Sequence, residues 1–280
     1  MRWVKLAALL SLWAGFFVCI ALVHLWISVL GLPNRWKIIS RLQHGFTFLI
    51  RIILNIKLTV VGDAGQVERG GYLIISNHLS YVDGFVLGSI FPVVFATDRE
   101  FKKLPVIGQW MTLTGMIFIN RQRKNQVSLL VLEISRKLKE KANILLFPEG
   151  DSTNGERMLP FQTAPLAAPL RTRSTIVPVT LVYKCVDDRP VSKANRDLIY
   201  FYGDMDFLPH FWKLLSLRSA EAMVTIQPKI ECSRYEDNSA GRKRLAVDCY
   251  NRVLGRRDKC DLSQEEDDSM KTRNRANSRE

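Results

Sequence analysis

The sequence is poor in the residues from which disulfide frameworks and metal sites are built. Among its 280 residues there are five cysteines and four histidines. The cysteine number is odd and no two cysteines are closely spaced, since they stand at Cys19, Cys185, Cys232, Cys249 and Cys260. Disulfide-rich domains and zinc sites both need closely spaced Cys or His residues. Neither class is indicated, and a reducing, cytosolic setting is the simpler interpretation.

Charged residues are missing from one long segment near the N-terminus. Residues 6–32 contain no Asp, Glu, Lys or Arg, and this length exceeds the roughly 20 residues that span a bilayer. A secretory signal peptide is the competing interpretation because Arg2 and Lys5 precede the segment, but its apolar part usually covers only about 7–15 residues. The length therefore favours a retained membrane anchor. By the positive-inside rule, the body of the chain is placed on the cytoplasmic side by the basic residues that follow: Arg35, Lys37 and Arg41.

Acidic residues are too few to balance the basic ones. The chain has 40 Lys and Arg against 27 Asp and Glu, a net charge of +13. This excess favours an anionic partner, which is a phosphate-bearing substrate, an anionic bilayer or a nucleic acid. Nucleic acid is the weakest of the three, because the basic residues are scattered among apolar strands and no nucleic-acid-binding motif is visible.

The composition divides the chain into three parts. Residues 1–57 are predicted to be a membrane anchor followed by a basic amphipathic helix that lies on the membrane surface, although the second helix also fits an ordinary core helix. Residues 58–255 form the predicted catalytic domain. Residues 256–280 form a polar tail, which we predict to be disordered.

Short apolar runs alternate with segments of helical spacing across the predicted domain. This order predicts an α/β fold with a single mixed sheet flanked by helices, in which strands near the end are antiparallel. The segment 207–217 fits either a second membrane-contacting helix or core, and a last helix is predicted over 239–255. The predicted strands cover residues 58–61, 71–75, 93–96, 115–121, 143–147, 176–182, 198–202 and 222–226.

The segment after the second predicted strand contains the two candidate catalytic residues, His78 and Asp83. His78 follows the strand at its carboxyl end, where open α/β sheets place their ligands. Asp83 comes five residues later, in the first turn of a predicted helix. A loop followed by a helix lets the carboxylate fold back onto the imidazole, which fixes its tautomer and leaves the other nitrogen to accept a proton from a hydroxyl. The alternatives are that Asp83 only caps the helix and that His78 is a core histidine.

Two further strand ends carry polar groups that could share a cleft with this pair. Arg121 ends one strand and suits a phosphate clamp through its planar guanidinium. Glu149 and Gly150 end another, where the carboxylate could accept a hydrogen bond from an acceptor hydroxyl or hold a neighbouring loop. Each residue also has a simpler interpretation when taken singly: Arg121 as a solvated charge, Glu149 as a helix or loop cap, and Gly150 as a turn glycine.

Four motifs in order resemble those of the glycerolipid acyltransferases, which include the 1-acyl-glycerol-3-phosphate acyltransferases. The resemblance covers about residues 55–185. The first motif is Asn77-His78 with Asp83, the second runs from Gly115 through Phe118 to Arg121, the third is Phe147-Pro148-Glu149-Gly150 and the fourth is Val177-Pro178-Val179.

The resemblance implies a membrane-bound enzyme that moves a fatty acyl group from acyl-CoA or acyl carrier protein to a lysophospholipid hydroxyl. The expected acceptor is 1-acyl-glycerol-3-phosphate, and no metal or other cofactor is implied. In this reading His78 is the general base and Asp83 its partner. The expected substrate-binding positions are Asn77, Gly115, Arg121, Glu149, Gly150 and Pro178.

The third motif departs from the family pattern. The family often continues with Thr-Arg after Glu-Gly, whereas this chain has Asp151-Ser152-Thr153. The change removes one phosphate contact, for which Arg157, Arg171 or Arg173 are possible substitutes. It also adds a carboxylate, which leaves room for an amino-acid-bearing acceptor such as a lyso-ornithine lipid. A non-catalytic, lipid-binding membrane protein is the alternative outside enzyme chemistry.

Overall fold

The structure is a computed structural model, and it describes residues 1–32, 35–103, 106–119 and 127–255. Eight α-helices lie in these ranges: α1 (Arg2–Leu30), α2 (Arg35–Leu54), α3 (Val82–Gly88), α4 (Ile107–Leu113), α5 (Val127–Lys139), α6 (Ala167–Thr172), α7 (Phe207–Leu214) and α8 (239–255). The strands in the same ranges are β1 (Ile56–Val61), β2 (Leu73–Ser76), β3 (Val93–Asp98), β4 (Ile117–Ile119), β5 (Asn143–Leu146), β6 (Thr175–Val186), β7 (Arg189–Pro190), β8 (Ala220–Ile226) and β9 (Ile230–Glu231).

The strands form one mixed sheet in the order β1-β8-β6-β2-β5-β3-β4. Neighbours along this order are parallel, except that β8 runs antiparallel to β6. The short strands β7 and β9 also pair antiparallel with β6. The predicted α/β class, the mixed sheet and the antiparallel strands near the end are therefore confirmed.

The sheet core follows from the apolar runs of the sequence. Every residue of β2 and β5 is buried, as expected for central strands covered on both faces. Helix α5 packs its apolar face inward through Leu130, Ile134 and Leu138, which recur at helical spacing, and turns most of its charges outward. Since β2, β5, β3 and β4 are parallel, the loops that follow them all lie at one edge of the sheet, which we call the carboxyl edge.

Helix α1 is long and apolar enough to cross a membrane, and 17% of its most apolar window is buried within the structure. It also contacts the rest of the chain near both of its ends. The Lys5 ammonium donates hydrogen bonds to the carbonyl oxygens of Leu54 (3.0 Å) and Leu217 (2.8 Å). Nearer the other end, His24 Nε2 lies 2.8 Å from the carbonyl oxygen of Leu113. The predicted anchor is thus docked along the body of the protein, against α2.

The predicted strand over residues 198–202 is wrong. Residues 196–198 form a 3₁₀ turn, and the segment after it belongs to no strand. The Tyr200 N–H bonds the carbonyl of Arg196, and the Phe201 N–H bonds the carbonyl of Leu79. Of the side chains that suggested a strand, Ile199 and Tyr200 are buried, and the Tyr200 ring lies 5.8 Å from that of Tyr183.

Candidate active site

His78 and Asp83 meet at the carboxyl edge of the sheet. His78 lies in the loop after β2, and Asp83 lies in the first turn of α3. Their side chains are joined by a contact of 2.9 Å between His78 Nδ1 and Asp83 Oδ2. Because a carboxylate can only accept, Nδ1 carries the proton and Nε2 is the basic nitrogen. The predicted contact is present, and the catalytic role of the pair stays a prediction.

The Asp83 carboxylate is fully buried, and further hydrogen-bond donors of the protein replace the water molecules that burial removes. Oδ2 also accepts the backbone N–H groups of Leu79 (2.6 Å) and Ser80 (2.9 Å). Oδ1 accepts the hydroxyl of Tyr183 (2.9 Å). A buried charge needs such partners to be tolerated. The same bonds orient the carboxylate toward the imidazole.

The His78 ring is packed on one face and keeps part of its exposure to solvent. It stacks on the Phe147 ring, with centroids 4.0 Å apart and planes at 11°. The His78 side chain retains 21% of its exposure, whereas Asp83 has none. The stacking fixes the ring plane, while the residual exposure gives a hydroxyl access to the imidazole.

The Glu149 carboxylate joins two loops of the carboxyl edge. Its Oε1 accepts the backbone N–H of His78 and its Oε2 accepts that of Leu159, each at 2.7 Å. The residue is only 5% exposed. The structure thus shows Glu149 holding a neighbouring loop, one of the two roles considered from the sequence. A contact with substrate stays a prediction.

The two predicted loop glycines lie in different places. Gly150 has φ +83°, and a Cβ there would lie 2.2 Å from Gln162 Nε2 in the loop beside His78. Gly115 has φ +70°, and its Cβ would lie 2.0 Å from the Trp36 ring. Because Gly115 precedes β4, it lies at the opposite edge of the sheet from His78. At that edge, the missing Cβ of Gly115 leaves room for the Trp36 ring of α2.

Asn77 and Pro178 are built into the sheet. The Asn77 side chain donates to the Leu181 carbonyl (2.9 Å) and accepts the Leu181 N–H (2.8 Å), which extends the pairing of β2 with β6. Pro178 lies in β6 opposite Ile75, and its carbonyl accepts the N–H of Gln227 (2.9 Å). This position falls between the pairing of β6 with β9 and its pairing with β8. Substrate contacts of both residues stay predictions.

The arginines considered for a phosphate contact do not share one edge of the sheet. Arg121 lies outside the described residues. Arg171 lies in the last turn of α6 and Arg173 follows this helix, so both precede the amino end of β6. Arg171 also forms an ion pair of 3.6 Å with Asp237. Arg157 is exposed in the loop after β5, at the His78 edge. Of the three substitutes, Arg157 is the one at the same edge of the sheet as His78.

Tyr183 of β6 also contacts Asp83, and it was not among the residues predicted from the sequence, since it lies one hundred positions after Asp83. Its side chain is fully buried, and burial together with the Asp83 carboxylate raises the pKa of its hydroxyl well above 10. The hydroxyl therefore remains a donor to Asp83. Nothing in the local pattern distinguishes this tyrosine from any other aromatic residue in a buried strand.

A second unpredicted contact lies on the other side of the loop that carries His78. The Tyr81 hydroxyl lies 3.0 Å from Nδ1 of His210, a residue of α7. Burial lowers the pKa of His210, which keeps its ring neutral. The rings of Phe201 and Phe207 pack edge-on against Tyr81. This cluster fixes the start of α3 against α7. Within the described ranges, no group of three His, Cys, Asp or Glu side chains could hold a metal ion.

Comparison with known proteins gives concordant matches. Residues 57–182 match the family model described as Acyltransferase. The chain is 26% identical to the lyso-ornithine lipid O-acyltransferase of Rhizobium meliloti (strain 1021), over 91% of this chain and 85% of that protein. It is 23% identical to the 1-acyl-sn-glycerol-3-phosphate acyltransferase of Neisseria gonorrhoeae, over 66% and 70% respectively.

The crystal structure of the 1-acyl-sn-glycerophosphate (LPA) acyltransferase PlsC from Thermotoga maritima has the same fold. The TM-score is 0.61, and the match covers 93% of this chain and 98% of that one at 16% sequence identity. At this identity the likeness concerns the fold.

Proposed function

We propose that the chain is a glycerolipid acyltransferase that transfers a fatty acyl group from acyl-CoA or acyl carrier protein to the hydroxyl of a lysolipid. The match of residues 57–182 to the Acyltransferase family model and the two relatives described above support this proposal. The observation that carries the proposal is the contact of 2.9 Å between His78 Nδ1 and Asp83 Oδ2. The contact leaves Nε2 as the basic nitrogen of a histidine whose side chain keeps 21% of its exposure.

The proposed step needs one base and no covalent enzyme intermediate. His78 Nε2 accepts the proton of the acceptor hydroxyl as that oxygen attacks the thioester carbonyl carbon. A C–O bond forms, the C–S bond breaks, and the imidazolium returns its proton to the departing thiolate. Asp83 stabilises the imidazolium that exists between these transfers. The step uses no metal or other cofactor.

We favour a lyso-ornithine lipid as the acceptor. Asp151 stands where the family pattern has a threonine, and the arginine that often follows is absent. An exposed carboxylate two positions before Thr153, whose N–H bonds the His78 carbonyl, suits an ammonium-bearing headgroup. The extended match to the Rhizobium meliloti enzyme supports this choice. 1-Acyl-glycerol-3-phosphate is the second candidate, and Arg157 at the same edge favours it.

We also propose that the protein works on the cytoplasmic face of a membrane, with α1 and α2 as its membrane-contacting elements. Apolar side chains of α1 remain exposed although the helix is docked on the domain, including Leu22, Leu25, Trp26 and Val29. In water such a surface would be unfavourable, whereas in a bilayer it is solvated by lipid.

Acyl transfer by the full-length chain in membranes tests the proposal. Donors are acyl-CoA and acyl carrier protein, and acceptors are lyso-ornithine lipid, 1-acyl-glycerol-3-phosphate and lysophosphatidylcholine. We expect turnover on lyso-ornithine lipid and a loss of about 10³-fold in His78→Ala, since the general base is removed.

His24→Ala is the matched control, because it removes a histidine of α1 that lies outside the site. It should keep the turnover of the wild type. Retained turnover in His78→Ala on every acceptor would refute the base assignment. Turnover on 1-acyl-glycerol-3-phosphate alone would keep the chemistry and replace the proposed acceptor.

A further inference from the structure

A cavity of about 620 Å³ lies at the edge of the sheet opposite His78. Its walls come from the first half of α2, from the loop between β1 and β2, and from the residues at or just before the amino ends of β3 and β5. His78 follows the carboxyl end of β2, so the length of the central strands separates the cavity from the catalytic pair. No residue of the proposed acyl-transfer chemistry lines it.

The charge of the cavity wall is strongly one-sided. Lys37, Arg41 and Lys141 line it, and among the described residues none of them has a carboxylate within 4.0 Å. Glu68 is the single acidic residue of the lining. His44 also lines the cavity, and its Nδ1 lies 2.8 Å from the Gly88 carbonyl. As Nδ1 donates there, Nε2 is left for a ligand.

The walls are fixed before any ligand binds. Asn143 is buried, and its amide donates to the carbonyl oxygens of Val67 and Pro92 while its oxygen accepts the Tyr72 N–H. These bonds tie the β1–β2 loop to the start of β3 and β5. Gly70, at φ +77°, allows the chain to approach Lys141 so closely that a Cβ would lie 2.1 Å from its carbonyl oxygen. A preformed wall reduces the ordering that binding requires.

An apolar stripe leads away from the charged wall along α2. Phe48, Leu49 and Ile52 are exposed, and they lie seven, eight and eleven positions after Arg41, on the same side of the helix. A ligand that used both surfaces would carry an anionic group and an aliphatic chain. A free phosphate would use only the cavity.

We propose that this cavity binds the phosphate of an anionic membrane phospholipid, with the lipid chains lying along the exposed side of α2. The Arg41 guanidinium and the Lys37 and Lys141 ammonium groups donate to the phosphate oxygens. This second lipid site is separate from the acyl-transfer site and anchors the amino edge of the sheet at the membrane surface.

Calorimetric titration of the full-length protein in neutral detergent tests this site. The probes are dihexanoyl phosphatidylglycerol, dihexanoyl phosphatidylcholine and inorganic phosphate. We expect phosphatidylglycerol to bind more tightly than the other two. Arg41→Gln combined with Lys141→Gln should weaken that binding by about tenfold or more, because two charged hydrogen-bond donors are lost.

The control is Arg189→Gln combined with Lys243→Gln, which removes the same charge from exposed positions on β7 and α8. This control should bind phosphatidylglycerol like the wild type. Turnover on a detergent-soluble acceptor should be equal in the two double variants, which keeps the result independent of the acyl-transfer proposal. Equal lipid binding by the two double variants would overturn the site, and equal affinity for inorganic phosphate would overturn the lipid assignment.

Discussion

At the carboxyl edge of the sheet the site carboxylates are enclosed and hydrogen-bonded, whereas at the amino edge a set of cations faces a cavity without carboxylate partners. Asp83 and Glu149 are both buried, and together they accept six hydrogen bonds from His78, Tyr183 and backbone N–H groups. Lys37, Arg41 and Lys141 have no carboxylate partner among the described residues, and the Lys37 ammonium makes one long hydrogen bond, of 3.5 Å, to the Arg69 carbonyl.

The difference separates two uses of charge. A group that must hold another side chain in one orientation needs all of its own hydrogen bonds satisfied within the protein, since that rigidity fixes the geometry of the base. A group that recruits an anion from outside needs its charge uncompensated until the ligand arrives. Substitutions at the two edges should therefore differ in kind, with turnover affected at one and lipid binding or stability at the other.

The largest effect is expected from Asp83→Asn. The amide presents a donor where the carboxylate accepts, so the imidazole loses its orienting partner and adopts the wrong tautomer. We expect turnover to fall by about 10³-fold, measured as kcat/KM on the acceptor that the wild type uses. Asp248→Asn is the control, because Asp248 also accepts a tyrosine hydroxyl, at 2.6 Å from Tyr235, but lies outside the site. A wild-type rate in Asp83→Asn would show that the pair serves folding alone.

A smaller effect is expected from Tyr183→Phe, which removes one donor from Asp83 Oδ1. The carboxylate keeps its contact with His78 but loses one of the hydrogen bonds that orient it. We expect kcat to fall by about tenfold with KM for the acceptor unchanged, and stability to fall by about 1–2 kcal/mol.

Tyr235→Phe removes a similar tyrosine–carboxylate bond far from His78, and it should lower stability without lowering kcat. Thermal unfolding and steady-state kinetics of both variants check this pair. An equal loss of kcat in the two variants would deny Tyr183 a positioning role.

What the sequence made predictable at the carboxyl edge was mostly local. The loop-then-helix pattern predicted the contact of His78 with Asp83, because the four intervening positions leave the chain little choice once a strand and a helix flank them. The apolar runs likewise predicted the central strands, because they too are local features of the sequence. The strand over 198–202 failed because a short apolar run indicates burial rather than strand pairing, and a partly buried loop whose Phe201 N–H bonds the Leu79 carbonyl satisfies the same pattern.

The remaining features depend on residues that are distant in sequence. Tyr183 reaches Asp83 only because β6 lies beside β2 in the sheet, an order that no local pattern encodes. The bond of Glu149 to the His78 N–H likewise requires β5 to be the other neighbour of β2. The docking of α1 rests on Lys5 reaching the carbonyls of Leu54 and Leu217, which a count of apolar residues cannot foresee.

The smallest effect concerns a buried cation at the amino edge. Lys137 of α5 is 1% exposed, and its ammonium lies 3.4 Å from the centroid of the Trp36 ring. Among the described residues it has no hydrogen-bonded carboxylate, in contrast with the donors around Asp83. Burial lowers the pKa of Lys137 from 10.5 to about 8, against a smaller opposing influence of Glu133.

The sign of the resulting pH dependence follows from proton counting. Between about pH 8 and pH 10.5 the unfolded chain binds more protons at Lys137 than the folded one, so stability rises with pH through this window. From about pH 7 to about pH 9 the gain should be about 1 kcal/mol.

Lys137→Met should remove this gain and be more stable than the wild type at neutral pH. Lys139→Met, which alters an exposed lysine of the same helix, should keep it. Denaturant unfolding at several pH values checks the difference, and parallel curves for the wild type and Lys137→Met would mean that the ring face and the neighbouring carboxylates compensate the buried charge fully.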